Sequence, residues 1–114
     1  MTVRIKRVYN KPSVDDGKRI LIDRLWPRGL TKDKAKVDLW LKQISPSAEL
    51  RQWFGHDPNK WHEFQKRYIR ELDANAENVE TLRELVKAGP VTLVYGAKDE
   101  QHNDALVLKT YLQK

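Results

Sequence analysis

Two uninterrupted apolar runs constrain this chain more than anything else in it: Ile20-Leu21-Ile22, and Val91-Thr92-Leu93-Val94-Tyr95 just ahead of Gly96. Strict alternation marks a strand with one wet face. A continuous β-branched and aliphatic run instead suits a strand covered on both faces. Residues 23–90 lie between the two runs and read largely as helices. Strands joined by helical crossovers run parallel. Near the N-terminus, Val3-Arg4-Ile5-Lys6-Arg7-Val8-Tyr9 alternates apolar and basic residues, which reads as a half-exposed edge strand. The expected fold is therefore α/β. A small sheet of about three, mostly parallel strands is covered by helices in a three-layer-like arrangement, with residues 1–114 as one domain. The direction of the first strand stays open. Asn10 to Gly17 is a turn region with few residues for a crossover.

The helices have legible ends. Thr31 can cap a short turn through Asp33 and Ala35. Ser45-Pro46 predicts a helix start with proline in the first turn, opening Ser47 to Phe54, which Gly55 closes. Asp57-Pro58 opens the next helix, whose apolar stripe is Trp61, Phe64, Tyr68 and Leu72. Val79, Leu82 and Val86 repeat the pattern before Gly89-Pro90 stops it. Asn103 to Leu112 predicts a closing helix. Between Val37 and Ile44 two readings compete. Val37, Leu41 and Ile44 share a helix face, whereas Val37-Asp38-Leu39 alternates as a strand would.

Composition excludes several chemistries. The chain has no cysteine, which removes disulfides, a thiolate nucleophile and cysteine-based zinc sites. Its three histidines form no i,i+3 or i,i+4 pair, so no metal site is expected. Glycine-rich phosphate loops and a serine-nucleophile elbow are absent, so no cofactor is expected. No run of about 18 apolar residues is present to cross a membrane, and the first residues lack the apolar stretch of a signal peptide. The cytoplasm is the expected compartment. Net charge is +6, and residues 1–42 carry 12 Lys/Arg against 5 Asp/Glu. A localised basic excess attracts phosphates or nucleic acid, although lysine-rich surfaces also serve solubility alone.

In parallel α/β sheets, ligands bind beyond the carboxyl ends of the strands. One buried run ends at Asp23-Arg24 and the other at Gly96-Ala97-Lys98-Asp99, which leads to the last helix at Asn103. The N-terminus of that helix is an expected anion seat, with Arg24, Arg28 and Lys98 along the same rim. Each residue has a second reading. Asp23 is a general base, or a structural carboxylate paired with an arginine or backbone amides. Trp26 stacks on a ligand ring or packs in the core. Arg28, on a Pro27/Gly29-fixed loop, grips phosphate or carboxylate, or pairs with a helix carboxylate. His56 is an acid/base or a loop residue beside a helix cap. Asp99 is an acid/base working with Lys98, or complements the helix dipole. Arg67 lies one step off its helix's apolar stripe and could point across the rim.

The segment Asp16-Gly17-Lys18-Arg19-Ile20-Leu21-Ile22-Asp23-Arg24-Leu25-Trp26-Pro27-Arg28-Gly29 resembles the opening signature of the YeaO-like branch of domain-of-unknown-function family 488. Pro46-Ser47 through Leu50-Arg51 to His56, then Phe64 with Arg67-Tyr68 and Glu71-Leu72, then Thr92 to Tyr95 with Lys98-Asp99 and Asn103, follow in the same order. The resemblance implies a compact bacterial-type cytosolic α/β protein and supplies no reaction. Other branches carry a motif containing cysteine and histidine, and chemistry resting on that cysteine does not transfer here. The resemblance does place Asp23, Arg24, Arg28, His56, Arg67, Lys98, Asp99 and Asn103 on the family's polar motif positions. Three functional expectations follow. The first is an anion site for a phosphorylated small molecule or a nucleic-acid end, with or without catalysis. The second is a nucleic-acid-binding module, and the third a scaffold or regulatory partner.

Overall fold

The computed structural model describes residues 3–113. Its sheet has four strands: β1 (Val3–Arg7), β2 (Lys18–Leu21), β3 (Leu39–Trp40) and β4 (Val91–Tyr95). The spatial order is β1-β4-β2-β3, and every pairing is parallel. Five α-helices lie among the described residues: α1 (Lys32–Ala35), α2 (Ala48–Phe54), α3 (Trp61–Asp73), α4 (Ala76–Ala88) and α5 (Asp104–Leu112).

The two continuous runs occupy the middle of the sheet as adjacent strands, which is why they lack polar alternation. Ile20, Leu21 and Ile22 are fully buried, as are Leu93 and Val94. Alternate residues serve two cores. Ile20, Ile22, Leu93 and Tyr95 face the large core beneath α3, α4 and α5. Leu21 and Val94 join Val8 and Ala35 in a small core on the back, roofed by Trp26, Leu30 and Trp40. The back layer is thus one turn of helix plus loops.

The sheet has a fourth strand where about three were expected. The stretch with two readings, residues 37–44, resolves into both short pieces: β3, then a single 3-10 turn at Lys42–Ile44. Two backbone bonds extend the pairing with β2, from Asp38 N to Arg19 O at 2.8 Å and from Leu41 N to Leu21 O at 2.9 Å. Tertiary pairing therefore overrides an equivocal local pattern.

The first strand is parallel because it does not pair with the second. β1 and β2 flank β4 on either side. Residues 8–17 return behind the sheet, and a link of that length reaches about 33 Å against about 17 Å for a five-residue strand. The basic half of the alternating β1 pattern fastens this return. Arg4 Nη1 donates to the carbonyl of Asp15 at 2.8 Å, and Lys6 Nζ to that of Lys11 at 2.8 Å.

Gly17 completes the turn at φ 64°, where a side chain would collide with the carbonyl oxygen of Pro90. One helix start differs from expectation. Ser47, not Ser45, caps α2, its hydroxyl accepting from Leu50 N at 3.1 Å, so Pro46 lies outside the helix. Glu71 of α3 fixes that cap by accepting from the Ser47 hydroxyl at 2.6 Å and its amide at 2.8 Å.

Candidate functional site

The carboxyl ends of β2 and β4 open onto a cleft of about 720 Å³. Asp23, the first residue beyond the buried β2 run, forms its base. Its carboxylate accepts from Gly96 N at 2.7 Å, and its carbonyl accepts from Trp40 Nε1 at 2.7 Å. Three strand ends are thereby clamped at one residue. Gly96 permits the approach: a Cβ there would lie 3.2 Å from the Asp23 carboxylate.

Asp104, at the start of α5, brings a second carboxyl within hydrogen-bonding reach of Asp23. Burial and the Asp23 charge hold Asp104 well above the ordinary carboxylate range. Burial also raises Asp23, although the Gly96 amide and the nearby Arg51 guanidinium pull it back in part. Two carboxyls placed so close titrate as a pair, each holding the other's proton more tightly. Asp104 also changes the expected anion seat. The helix N-terminus is already served in part by the protein, because Asn103 Oδ1 accepts from Leu106 N at 3.0 Å and the Asp104 carboxyl stands in the first turn. An exogenous anion there would meet the Asp104 carboxyl, so side-chain cations have to supply the attraction.

Those side chains come from the opposite wall and the mouth. Arg24 and Arg28 line the cleft from the exposed loop after β2. That loop is pinned from behind: Tyr9 hydroxyl donates to the Arg28 carbonyl at 2.9 Å, and Trp26 Nε1 to the Leu30 carbonyl at 2.7 Å. Arg51 enters from α2, one turn before Phe54. Its Nε is buried and has no hydrogen-bond partner among the described residues. None of these three arginines forms an ion pair among the described residues, whereas Lys6, Arg19 and Arg67 all do. His56 lines the mouth from a left-handed backbone at φ 57°, directly after Gly55 at φ 53°. A non-glycine residue there costs roughly 1 kcal/mol, a strain that clusters at ligand sites.

Of the residues singled out from sequence, Asp23, Arg24, Arg28, His56 and Asn103 line this cleft, and four do not. Trp26 packs edge-on against Trp40 with centroids 5.5 Å apart, in the back core. Arg67 is exposed, bonded to Glu63 at 3.1 Å and lying over Trp53 at 4.1 Å. Lys98 is exposed and outside the cleft. Asp99 accepts from Gln101 N at 2.9 Å and contacts His102 Nδ1 at 2.8 Å, which together keep it below the ordinary carboxylate value. It therefore orients His102, whose ring lines the cleft and stands edge-on to Trp61 at 5.4 Å. Arg51 and Asp104 were given no ligand role from sequence. One signal did exist: Arg51 is a charged residue three positions before buried Phe54, on the inward side of a seven-residue helix.

A family model described as the inactive DUF488-N3 subclade matches residues 2–114. The chain belongs to this family. Members of the same kind are spread across distant bacteria. A protein of Escherichia coli (strain K12), described as uncharacterized protein YeaO, is 41% identical over 99% of this chain and 98% of its own length. Uncharacterized protein Mb3100c of Mycobacterium bovis and uncharacterized protein Rv3073c of Mycobacterium tuberculosis are each 42% identical over 96% of this chain and 92% of theirs. No solved structure matches. For this DUF488-N3 chain, no helix among the described residues is long and apolar enough to cross a membrane. No cluster of metal-ligating side chains occurs among them either.

Proposed function

We propose that the protein is a binding module whose cleft takes a small phosphate- or carboxylate-bearing molecule without turning it over. The observation that carries this is Arg51. A buried guanidinium N–H without an acceptor costs about 1–3 kcal/mol, and a ligand oxygen would relieve it. Arg24 and Arg28, unpaired at the mouth, supply the bidentate forks that suit phosphate and carboxylate. Three guanidiniums then line the cleft against two carboxyls, so the cleft favours an anion. The family's description as inactive supports binding rather than turnover, and so does the absence of any cysteine nucleophile. A titration with inorganic phosphate, read by amide chemical shifts, tests it. Arg28→Ala should weaken binding at least fivefold, and Lys98→Ala, outside the cleft, should leave it unchanged. Equal effects of the two substitutions would refute the assignment.

A nucleic-acid-binding module is a second reading. Lys32, Lys34 and Lys36 are exposed around α1, close in sequence to Arg24 and Arg28. It requires affinity for duplex or single strands that falls steeply with salt and is spread over these lysines. A scaffold role has less support. All four tryptophans are partly covered, and the exposed large apolar residues among those described are Tyr9, Val14 and Leu25.

A further inference from the structure

We infer that the ligand is a zwitterion, a phosphate or carboxylate held by Arg24, Arg28 and Arg51 that also carries an ammonium group held by Asp23 and Asp104. This rests on the anion-binding reading above and names the second charge on its ligand.

Charges of both signs line this cleft, and neither sign is satisfied by the other. Asp23 and Asp104 are half-buried, yet neither forms an ion pair among the described residues. The basic groups that act on Asp23 are Arg51 and His56, both beyond ion-pair contact, and no lysine lines the cleft. Carboxylates drawn out of water are ordinarily paired with a cation. Two of them left facing each other repel, and a cation between them would relieve both.

An anion alone worsens that imbalance. Arg51 is the guanidinium whose charge reaches Asp23. Once a ligand oxygen neutralises Arg51, the carboxyls lose the positive charge that offsets them. A phosphate with no cation of its own therefore forfeits at Asp23 and Asp104 part of what it gains from the arginines. A ligand bearing both charges completes both sets.

The open acceptors suit an ammonium, which has three N–H donors and no lone pair. Asp23 spends Oδ2 on Gly96 N at 2.7 Å, and its other oxygen has no N–H donor among the described residues. Asp104 supplies a second carboxyl, and His102, two residues before it, lines the same cleft. His102 Nδ1 contacts Asp99 Oδ2 at 2.8 Å, and the Gln101 amide and this contact keep Asp99 below the ordinary carboxylate value. With Asp99 as the acceptor, Nδ1 carries the proton and Nε2 is left as an acceptor. The cleft volume of about 720 Å³ leaves room for the carbons that link the two charges.

Calorimetric titrations at pH 7.5 compare inorganic phosphate with 2-aminoethyl, 3-aminopropyl and 4-aminobutyl phosphate. Each amine is set against the alkyl phosphate and the hydroxyalkyl phosphate of the same length, and 4-aminobutyrate is set against butyrate. At least one ammonium-bearing ligand is expected to bind roughly fivefold or more tighter than both of its counterparts, the scale of one charge-assisted hydrogen bond. Asp104→Asn, which keeps the shape and removes the charge, should cut that advantage by half or more. Arg28→Ala should weaken the amine and its alkyl counterpart alike. If every ammonium gains less than fivefold, or a hydroxyl gains as much, this inference is wrong while the anion site stands. An advantage undiminished in Asp104→Asn also overturns it, as does tighter phosphate binding with magnesium ion where no ammonium helps. If no phosphate- or carboxylate-bearing molecule binds, the anion site itself falls.

Discussion

The protein contains two polar clusters built from the same materials, arginine and aspartate, and they are finished differently. Behind the sheet, Arg19 and Asp16 are only 3% and 5% exposed, yet their hydrogen bonds are well provided. Arg19 Nη1 donates to Asp16 at 2.6 Å, and its Nη2 to the Ala35 carbonyl at 2.8 Å. Lys6 approaches Asp16 at 3.1 Å, and the Ser13 amide donates to the same carboxylate at 3.0 Å. At the strand ends, Arg51 is left unpartnered and Asp23 faces another carboxyl. A folded chain satisfies its buried polar groups unless something else is meant to. The back cluster holds the fold. The front cluster keeps unspent hydrogen-bonding capacity, which is what the proposed anion site requires.

Substitutions can break this contrast. Asp16→Ala should destabilise most, by about 3–5 kcal/mol in urea unfolding, because it strands the buried Arg19 guanidinium. A loss below 1 kcal/mol would show that the back cluster is not the clamp described. Arg51→Ala should instead cost about tenfold in phosphate affinity, near 1.4 kcal/mol, with unfolding midpoints nearly unmoved. Unfolding that worsens by more than the binding does would make Arg51 structural.

Titration sharpens the contrast through sign. Burial pushes Asp16 up, but the Ser13 amide, Lys6 and Arg19 outweigh it and leave the carboxyl below its ordinary value. Its stabilisation is present above the unfolded value near 3.9 and disappears as pH falls through the folded one. The Asp23–Asp104 pair is raised, so its folded form binds protons more tightly than the unfolded chain. That contribution is complete below about pH 4 and disappears as pH rises through the pair's folded value. Asp104→Asn should therefore stabilise the protein by about 1 kcal/mol at pH 8 and by nothing at pH 4, as thermal melts at the two values would reveal. An unchanged melt at pH 8 would mean that the two carboxyls do not confront each other. The smallest effect belongs to Arg67→Ala. It removes an exposed pair and a cation–π contact over Trp53, so its cost should stay within about 0.5–1 kcal/mol with ligand affinity unaltered.

Much of the scaffold was legible because its signals are local. Continuous apolar runs marked the central strands, and Thr31, Asp57 and Asn103 marked helix starts that the structure confirms by their side-chain caps. β3 was not, because two residues of strand carry no period and are specified by the β2 edge they join. The cleft divides in the same way. Asp23, Arg24 and Arg28 were readable because they follow a buried run directly, where strand ends place ligands. Lys98 and Asp99 follow the other run just as directly, yet the turn before α5 carries them away from the cleft.

The sequence alone determined which segments are buried, where helices begin, the lack of thiol chemistry and the basic bias of residues 1–42, because each depends on residue type and near-neighbour spacing. Tertiary structure decided the strand order, the meeting of Asp23 with Asp104 and the isolation of Arg51 within the cleft wall. Those depend on groups from distant segments converging, and it is their burial together, not their spacing in the chain, that sets a carboxyl's proton affinity or leaves a guanidinium without a partner.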